Sequence, residues 1–474
     1  MAEPKGNNTE GLLTLIREGK PMSLKQQLRL TALLSFPAIV AQLSSIAMQY
    51  IDASMVGSLG ANSSAAIGLV STTTWLFWGM LTALATGFSV QVAHAIGAGE
   101  FSRARSIFRQ AITSTVVFSL LLAAVGCGIS GGLPRWLGGA DDICHDASLY
   151  FFVFALFLPA LQLNFLGGAM LRCSGNMHVP SLLNMLMCAM DVVFNFFLIF
   201  PARDIDIFGV SMSMPGAGLG VLGAALGTVL AETVTAVLMM WYACVRSKDL
   251  SILGVKGGFL PTRDCLRKAA RISLPMGTEH AVLCGAQIFL TVIVAPLGTF
   301  AIAANAFAIT AESLCYMPGY GIADAATTLV GQSLGAGRRE LTRSFAWISV
   351  WLGMAVMTVM GVIMYIAAPS IMGVMTEVVP IRELGAAALR IEAFAEPMFA
   401  ASIVAYGVFV GAGDTLVPSV MNLGSMWVVR ITLAAILAPA MGLQGVWLAM
   451  CIELCFRGAI FLIRLRYGRW MRRI

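Results

Sequence analysis

Charged residues are scarce in this chain: Asp, Glu, Lys and Arg make up 11% of its 474 residues, whereas 58% are hydrophobic. The mean hydropathy is +0.84. Soluble globular domains carry roughly 25% charged residues, so a water-soluble fold is excluded. The composition instead predicts a polytopic membrane protein.

The sequence also lacks the short motifs of several enzyme classes. It has no GxxxxGKS or GxxxxGKT phosphate-binding loop, no HExxH, and no GxSxG in a strand-turn-helix context. Direct use of ATP is therefore not supported. An intramembrane enzyme stays a distant alternative, because no pair of nucleophile and base is recognisable. The ten cysteines show neither a disulfide framework nor a metal-ligand spacing, and we expect no cofactor.

Apolar runs long enough to cross a bilayer are abundant. Backbone groups find no water in the bilayer core, so continuous runs of this length form helices rather than barrel strands. The sequence predicts an all-α protein with twelve transmembrane helices, six in each half. Their approximate limits are 28–52, 64–93, 107–128, 147–171, 179–200 and 217–243, then 268–297, 301–334, 344–368, 384–411, 417–438 and 443–464.

Basic residues are unevenly distributed among the predicted loops. With both termini in the cytoplasm, the inner segments hold 24 of the 30 Lys and Arg, Arg172 among them. This asymmetry predicts that orientation in a bacterial-type inner (plasma) membrane. The net charge of +6 is then a feature of the inner leaflet, and no nucleic-acid partner is expected. We also expect the short apolar patch Leu12–Ile16 on the inner membrane surface.

The predicted helices divide the chain into two lobes with polar flanks. The segments are a cytoplasmic N-terminal segment (1–27), an N-lobe (28–245), a cytoplasmic linker (246–267), a C-lobe (268–464) and a basic cytoplasmic tail (465–474).

The two lobes are internal repeats. Shifted by 238 residues, positions 37–184 match positions 275–422 without a gap, and the matches include Pro37 with Pro275 and Pro159 with Pro397. Later the best shift is 222, so the first half carries an insertion, which fits at Phe200–Pro215. Six helices per half make the repeats parallel, about an axis along the membrane normal.

Ionisable residues inside membrane helices are costly, and they mark functional sites by default. Carboxylates in such places either take up a proton or bind a cation, which suits an ion-coupled device. This inventory is strongly acidic, with only Arg430 and Arg457 as cations. The acids are Asp52, Asp191, Glu232, Glu279, Glu312, Asp324, Glu392, Glu396 and Glu453.

Two groups of these acids stand out. Asp191 and Asn195 are four residues apart, so they share one helix face and offer oxygens to a common ligand. A hydrogen bond between helices is the structural alternative. In the second half the candidates are Glu279, Glu392 and Glu396. Glu396 directly precedes Pro397, and an acid at such a kink can face a cavity.

The repeated motifs resemble the signature of the multidrug and toxic compound extrusion (MATE) family. One motif is VGQSLGAG at 330–337 followed by Arg343, with a weaker copy at 91–99. Another is GAGDT at 411–415 with Pro418, copied as CSGN at 173–176 with Pro180. The resemblance covers nearly the whole chain. It implies a V of two six-helix lobes that exports organic, often cationic compounds in exchange for protons or sodium ions.

The resemblance also implies roles for single residues. Pro37 is similar to the family's bending proline in helix 1, and Asp52 to the acid that binds the coupling ion. Asp191 and Asn195 resemble the helix 5 pair of that site, in swapped order, and Thr228 resembles a ligand from helix 6. The resemblance further implies H⁺ or Na⁺ as the coupling ion and small organic cations as substrates, and we expect a monomer.

The second lobe departs from the family pattern. Some members carry a glutamate where this chain has Leu283 and an aspartate where it has Phe399; Glu279 and Glu396 lie about one helical turn earlier. A lipid-linked sugar flippase of the same superfamily is the main alternative function. An excess of cationic residues facing the cavity would favour it, because a pyrophosphate head group needs cations.

Overall fold

The computed structural model describes residues 8–207, 210–254 and 256–471. The first half begins with a short helix. Ser23 caps the N-terminus of the next helix, because its hydroxyl accepts a hydrogen bond from the Gln26 N–H while the Gln26 side chain accepts one from the Ser23 N–H. Its helices are α1 (Thr9–Arg17), α2 (Leu24–Gly57), α3 (Ala61–Gly97), α4 (Phe101–Ser130), α5 (Leu133–Trp136), α6 (Asp141–Leu156), α7 (Leu158–Cys173), α8 (His178–Ile199) and α9 (Val221–Trp241), which a π-helical turn extends over Tyr242–Arg246.

The second half repeats this plan. Its helices are α10 (Arg263–Val294), α11 (Thr299–Gly335), α12 (Arg339–Met375), α13 (Val379–Glu392), α14 (Glu396–Gly411), α15 (Leu416–Gly424), α16 (Thr432–Met441) and α17 (Leu443–Tyr467). A π-helical segment, Ser425–Ile431, joins α15 to α16. Ten spans of membrane length and two bent pairs give up to twelve crossings within the described residues. The predicted all-α class is confirmed.

The two bent spans occupy equivalent places in the repeats. The bend between α6 and α7 is 50°, and the bend between α13 and α14 is 61°. Pro159 and Pro397 stand in the first turn after each bend, where a residue without an N–H is tolerated. The kink predicted beside Glu396 is confirmed.

The insertion predicted in the first half is a β-hairpin, which is the only β-sheet within the described residues. Strand β1 (Pro201–Ile207) pairs antiparallel with β2 (Val210–Ala217), with Ile207 opposite Val210 and Pro201 opposite Ala217. The hairpin lies between α8 and α9, where the repeat places the additional residues.

The lobes pack tightly where α3 and α11 end, near Arg103 in the first turn of α4 and Arg338 just before α12; we call this the basic end. A Cβ on Gly97 would lie 2.0 Å from the carbonyl oxygen of Gln332. A Cβ on Gly335 would lie 2.2 Å from that of His94. The two glycines are equivalent positions of the repeat, so absence of a side chain at both lets the lobes touch backbone to backbone.

Helix α1 lies at the same seam. Arg17 donates hydrogen bonds of 3.2 Å to the Ser174 carbonyl and the Asp249 carboxylate, while Arg338 of the second lobe donates to the Leu15 carbonyl at 3.1 Å. The expectation of a surface-bound Leu12–Ile16 patch is wrong for its apolar side chains. They are buried in one cluster with residues of both lobes, namely Leu30, Leu34, Met177, Ala325, Leu329, Leu341 and Phe345. The groove between the lobes supplies a dry apolar surface that no single helix offers.

Candidate ion and substrate sites

The structure brings the first-lobe candidates together around Asn195. Its amide nitrogen donates to Asp52 at 2.9 Å and to Asp191 at 3.1 Å. Asp52 comes from α2, whereas Asp191 and Asn195 lie one turn apart on α8 and are each only 1% exposed. One amide therefore joins two carboxylates from two helices.

This group has oxygens to spare. Asp191 Oδ1 and Asn195 Oδ1 are buried and have no hydrogen-bond partner in the part of the chain that the structure describes. Thr228 of α9 lies beside Asp191. A Cβ on Gly227 would lie 2.0 Å from Asn195 Oδ1, so the glycine makes the room that the amide occupies. Carboxylate, amide and hydroxyl oxygens are ligands that hard cations prefer, and the set fits such an ion or a proton.

A cavity of 480 Å³ opens beside these residues within the first lobe. Asp52, Asn195 and Thr228 form part of its wall. Glu232 also lines it, and its carboxylate accepts a hydrogen bond from the Asn164 amide. The remaining wall is rich in aromatic side chains, including Trp75, Trp78, Tyr150 and Phe154. Because acids and aromatic faces both attract organic cations, the wall has the chemistry of a cation pocket. Glu232 could be singled out from the sequence because it is an acid inside a membrane helix. Nothing in the sequence singled out Asn164.

The second-lobe candidates do not form one site. Glu279 of α10 accepts hydrogen bonds from Tyr406 (2.7 Å), Ser419 (2.6 Å) and Asn422 (2.6 Å). No described hydrogen bond joins it to Glu392 or Glu396.

Glu392 and Glu396 are fully enclosed at the bend between α13 and α14. Both are 0% exposed, and none of their four carboxylate oxygens has a hydrogen-bond partner among the described residues. Gly361 of α12 lies against Glu396, since a Cβ there would be 3.0 Å from the Glu396 Cβ. The expectation that Glu396 faces a cavity is not met, because α12 packs over the bend.

Glu453 is an acid that forms ion pairs with two arginines. It accepts from Arg430 Nη2 at 2.8 Å and from Arg457 Nε at 2.8 Å, and Ser425 also donates to it. The sequence places all three charged residues inside membrane helices, but it does not indicate that their side chains meet. The π-helical segment Ser425–Ile431 carries Arg430, and that local winding has no simple sequence signal.

A second cavity, of 340 Å³, lies between the lobes. Its charged lining comprises Arg172, Glu279, Asp324 and Arg457, with His280 beside them. Arg172, which was counted among the inner segments, lies in the last turn of α7, and its Nε is 3.8 Å from Asp324. The number of guanidinium groups equals the number of carboxylates in the lining.

The positions that carry acids in some relatives of the resembled family, Leu283 and Phe399, also line this interlobe cavity. Pro37 lies inside the unbroken helix α2, so its role as a hinge stays a prediction.

Among the described residues no three His, Cys, Asp or Glu side chains are placed to hold a metal ion. The first-lobe group contains two carboxylates and otherwise uses an amide and a hydroxyl.

Two repeated lobes of membrane-spanning helices, with a cavity between them, define a multi-pass membrane transporter. The MatE family model matches residues 37–197 and 275–436, which is most of both lobes. The chain belongs to the MatE family, and the resemblance inferred from its motifs is confirmed.

Relatives and solved structures agree with this assignment. The chain is 24% identical over 446 residues to a probable multidrug resistance protein NorM of Thermotoga maritima, covering 93% of this chain and 92% of the relative. It is 26% identical over 440 residues to a NorM protein of Chromobacterium violaceum, covering 90% and 91%.

Among solved structures, an outward-facing multidrug resistance MATE family transporter superposes with a TM-score of 0.86 at 20% identity, covering 98% of each chain. The Vibrio cholerae MATE transporter VcmN gives 0.84 at 18% identity, covering 94% of this chain and 97% of its own. These likenesses confirm the V-shaped two-lobe fold.

Proposed function

We propose that this protein is a secondary active antiporter that exports organic, often cationic compounds in exchange for protons or sodium ions. The carrying observation is the Asp52–Asn195–Asp191 group, in which Asp52 and Asn195 form part of the wall of the first-lobe cavity. The names of the NorM relatives support multidrug efflux as the activity.

In this mechanism the coupling ion is a second substrate, held by Asp52, Asp191, Asn195 and Thr228. Asp52 lies on α2 and the other ligands on α8 and α9, so occupation of the site favours one arrangement of α2 against its neighbours. Pro37 gives α2 a point at which to bend. Only a difference in ion affinity between two arrangements of the lobes can drive such a cycle.

The interlobe cavity weakens the flippase alternative. A lipid-linked pyrophosphate needs several cations, and the lining has Arg172 and Arg457 balanced by Glu279 and Asp324. An intramembrane enzyme gains no support from either cavity.

The proposal is tested with purified protein in liposomes loaded with a fluorescent organic cation, under a sodium gradient and, separately, a pH gradient. We expect at least one gradient to drive transport. Transport under the pH gradient alone would make the site a proton carrier, and transport under sodium alone would make it a sodium site. Movement under neither gradient would contradict antiport.

A further inference from the structure

Equivalent hydrogen bonds from the two lobes close the seam between them at the basic end. His94 Nε2 of α3 donates to the Gly411 carbonyl at 2.8 Å, and Gln332 Nε2 of α11 donates to the Cys173 carbonyl at 2.9 Å. At the shift of 238 residues His94 matches Gln332, and Cys173 matches Gly411. Each bond crosses from one lobe to the other, so each lobe holds the other in the same way.

This seam closes the interlobe cavity toward the basic end. Cys173 and Thr328 form part of the cavity wall, and the Thr328 hydroxyl donates to the Arg172 carbonyl at 3.0 Å. Gln332 lies one turn further along α11 and is 0% exposed. A compound can therefore pass between the cavity and the basic end only if the lobes separate along this seam.

Hydrogen bonds attach helix α1 to both sides of the seam. Arg17 of α1 donates to the carbonyl of Ser174, which directly follows Cys173 in the first lobe. Arg338 of the second lobe donates to the Leu15 carbonyl of α1. The helix therefore bridges the lobes at the place where they meet.

The apolar face of α1 is buried between the lobes. Leu12, Leu13 and Ile16 are 0%, 4% and 0% exposed, and they pack in one cluster with Met177 of the first lobe and Leu329 of the second. A helix of nine residues is marginal in water, so this packing is what keeps α1 helical. Separation of the lobes along the seam would break the cluster and expose apolar surface to water, which is unfavourable.

We propose that α1 is a strap that holds the lobes together at the basic end and has to leave the seam before the interlobe cavity opens there. The inference rests on the proposed function only for the existence of two arrangements of the lobes. Because α1 contacts both lobes in the closed arrangement alone, it shifts the equilibrium toward that arrangement.

The test measures how fast two native cysteines react with N-ethylmaleimide in the purified, full-length protein in nanodiscs. Cys173 is the reporter, because it lies at the seam and is 4% exposed. Cys315 is the internal control, because it is 5% exposed and lies in the core of the second lobe. Mass spectrometry of the labelled peptides follows both cysteines in one sample, without substrate or gradient.

A matched pair of variants adds one carboxylate to α1 at two different places. Leu12→Asp puts an unpaired charge in the apolar cluster, which expels α1 from the seam. Thr14→Asp puts the same charge at a position whose hydroxyl is bonded only within α1, to the Glu10 carbonyl. We expect Cys173 to react about tenfold faster in Leu12→Asp and at its original rate in Thr14→Asp, with Cys315 unchanged in both.

Hydrogen exchange of residues 9–17 shows separately whether α1 has left the seam. We expect fast exchange in Leu12→Asp and slow exchange in Thr14→Asp and in the unaltered protein. Fast exchange of α1 with an unchanged rate at Cys173 would overturn the proposal. Slow exchange in Leu12→Asp would also overturn it, because the apolar face would then not hold the strap.

Faster reaction of Cys173 and Cys315 together would mean that Leu12→Asp unfolds the second lobe. Leu12→Ala, which removes packing without adding charge, then decides between the same outcomes. Neither measurement depends on a gradient, so a failure of antiport in liposomes and a failure of this proposal are separate results.

Discussion

The two lobes handle their buried acids in different ways. In the first lobe, Asp52 and Asp191 share one neutral amide donor, and Asp52 forms part of a cavity wall. In the second, Glu453 is neutralised by two arginines, whereas Glu392 and Glu396 are sealed at a bend. The first arrangement places Asp52 on a cavity wall, whereas the second neutralises Glu453 and encloses Glu392 and Glu396.

This difference shows that the repeat preserves backbone geometry without preserving chemistry. The helix bends and the close contacts of Gly97 and Gly335 recur in both lobes. The acids do not: at the shift of 238 residues Asp52 faces Leu290, and Glu396 faces Leu158. Duplicated helices can therefore keep one path through the membrane while the two lobes place their acids differently.

Removing the carboxylate of Asp52 tests the difference between the lobes most directly. We expect Asp52→Asn to reduce gradient-driven transport in liposomes roughly tenfold to hundredfold, because a charged partner of Asn195 and of the ion is lost. The matched control is Asp146→Asn, which removes an exposed acid of α6. Transport by Asp52→Asn at the rate of the unaltered protein would contradict a coupling role for the first lobe.

Glu453→Gln tests whether the second-lobe trio of Glu453, Arg430 and Arg457 is structural. The change leaves two buried guanidinium groups without a carboxylate, so we expect the free energy of unfolding to fall by about 3–5 kcal/mol. Unfolding of the detergent-solubilised protein measures this, with the exposed Glu340→Gln as control. If both variants unfold alike, the trio does not stabilise the lobe.

Gly227→Ala tests whether the first lobe needs the amide of Asn195 between its two aspartates. The new methyl group would lie 2.0 Å from Asn195 Oδ1, so Asn195 has to leave its position between the two aspartates. We expect a loss of about 1–3 kcal/mol of stability from overpacking, together with weaker gradient-driven transport. Gly277→Ala in α10 is the control, since its methyl group would meet nothing within 4 Å. Normal transport by Gly227→Ala would show that the amide bridge is dispensable.

The smallest expected effect concerns α1, which belongs to neither lobe alone. Arg338→Ala removes the hydrogen bond to the Leu15 carbonyl, and we expect the free energy of unfolding to fall by about 1 kcal/mol. Its exposed neighbour provides the control variant Arg339→Ala, which should change stability less. An equal loss in both would indicate a general effect of charge at the basic end.

Much of this architecture can be predicted from the chain alone, because membrane spans depend on local composition. Runs of apolar residues predicted the helices, and the repeat predicted two lobes, the proline kink beside Glu396 and the place of the insertion. Asp191 and Asn195 were predicted to share a ligand, since four residues make one helical turn wherever the helix lies.

Contacts between distant segments could only come from the tertiary structure. The sequence by itself determined the membrane class, the helices, the repeat and the inventory of buried charges. Packing decided that Asn195 reaches Asp52, that Glu453 binds two arginines, that Arg172 faces a cavity and that α1 lies between the lobes. The physical reason is that a helix face is periodic in sequence, whereas the partner of that face is set by how whole helices bend, cross and exclude lipid from one another.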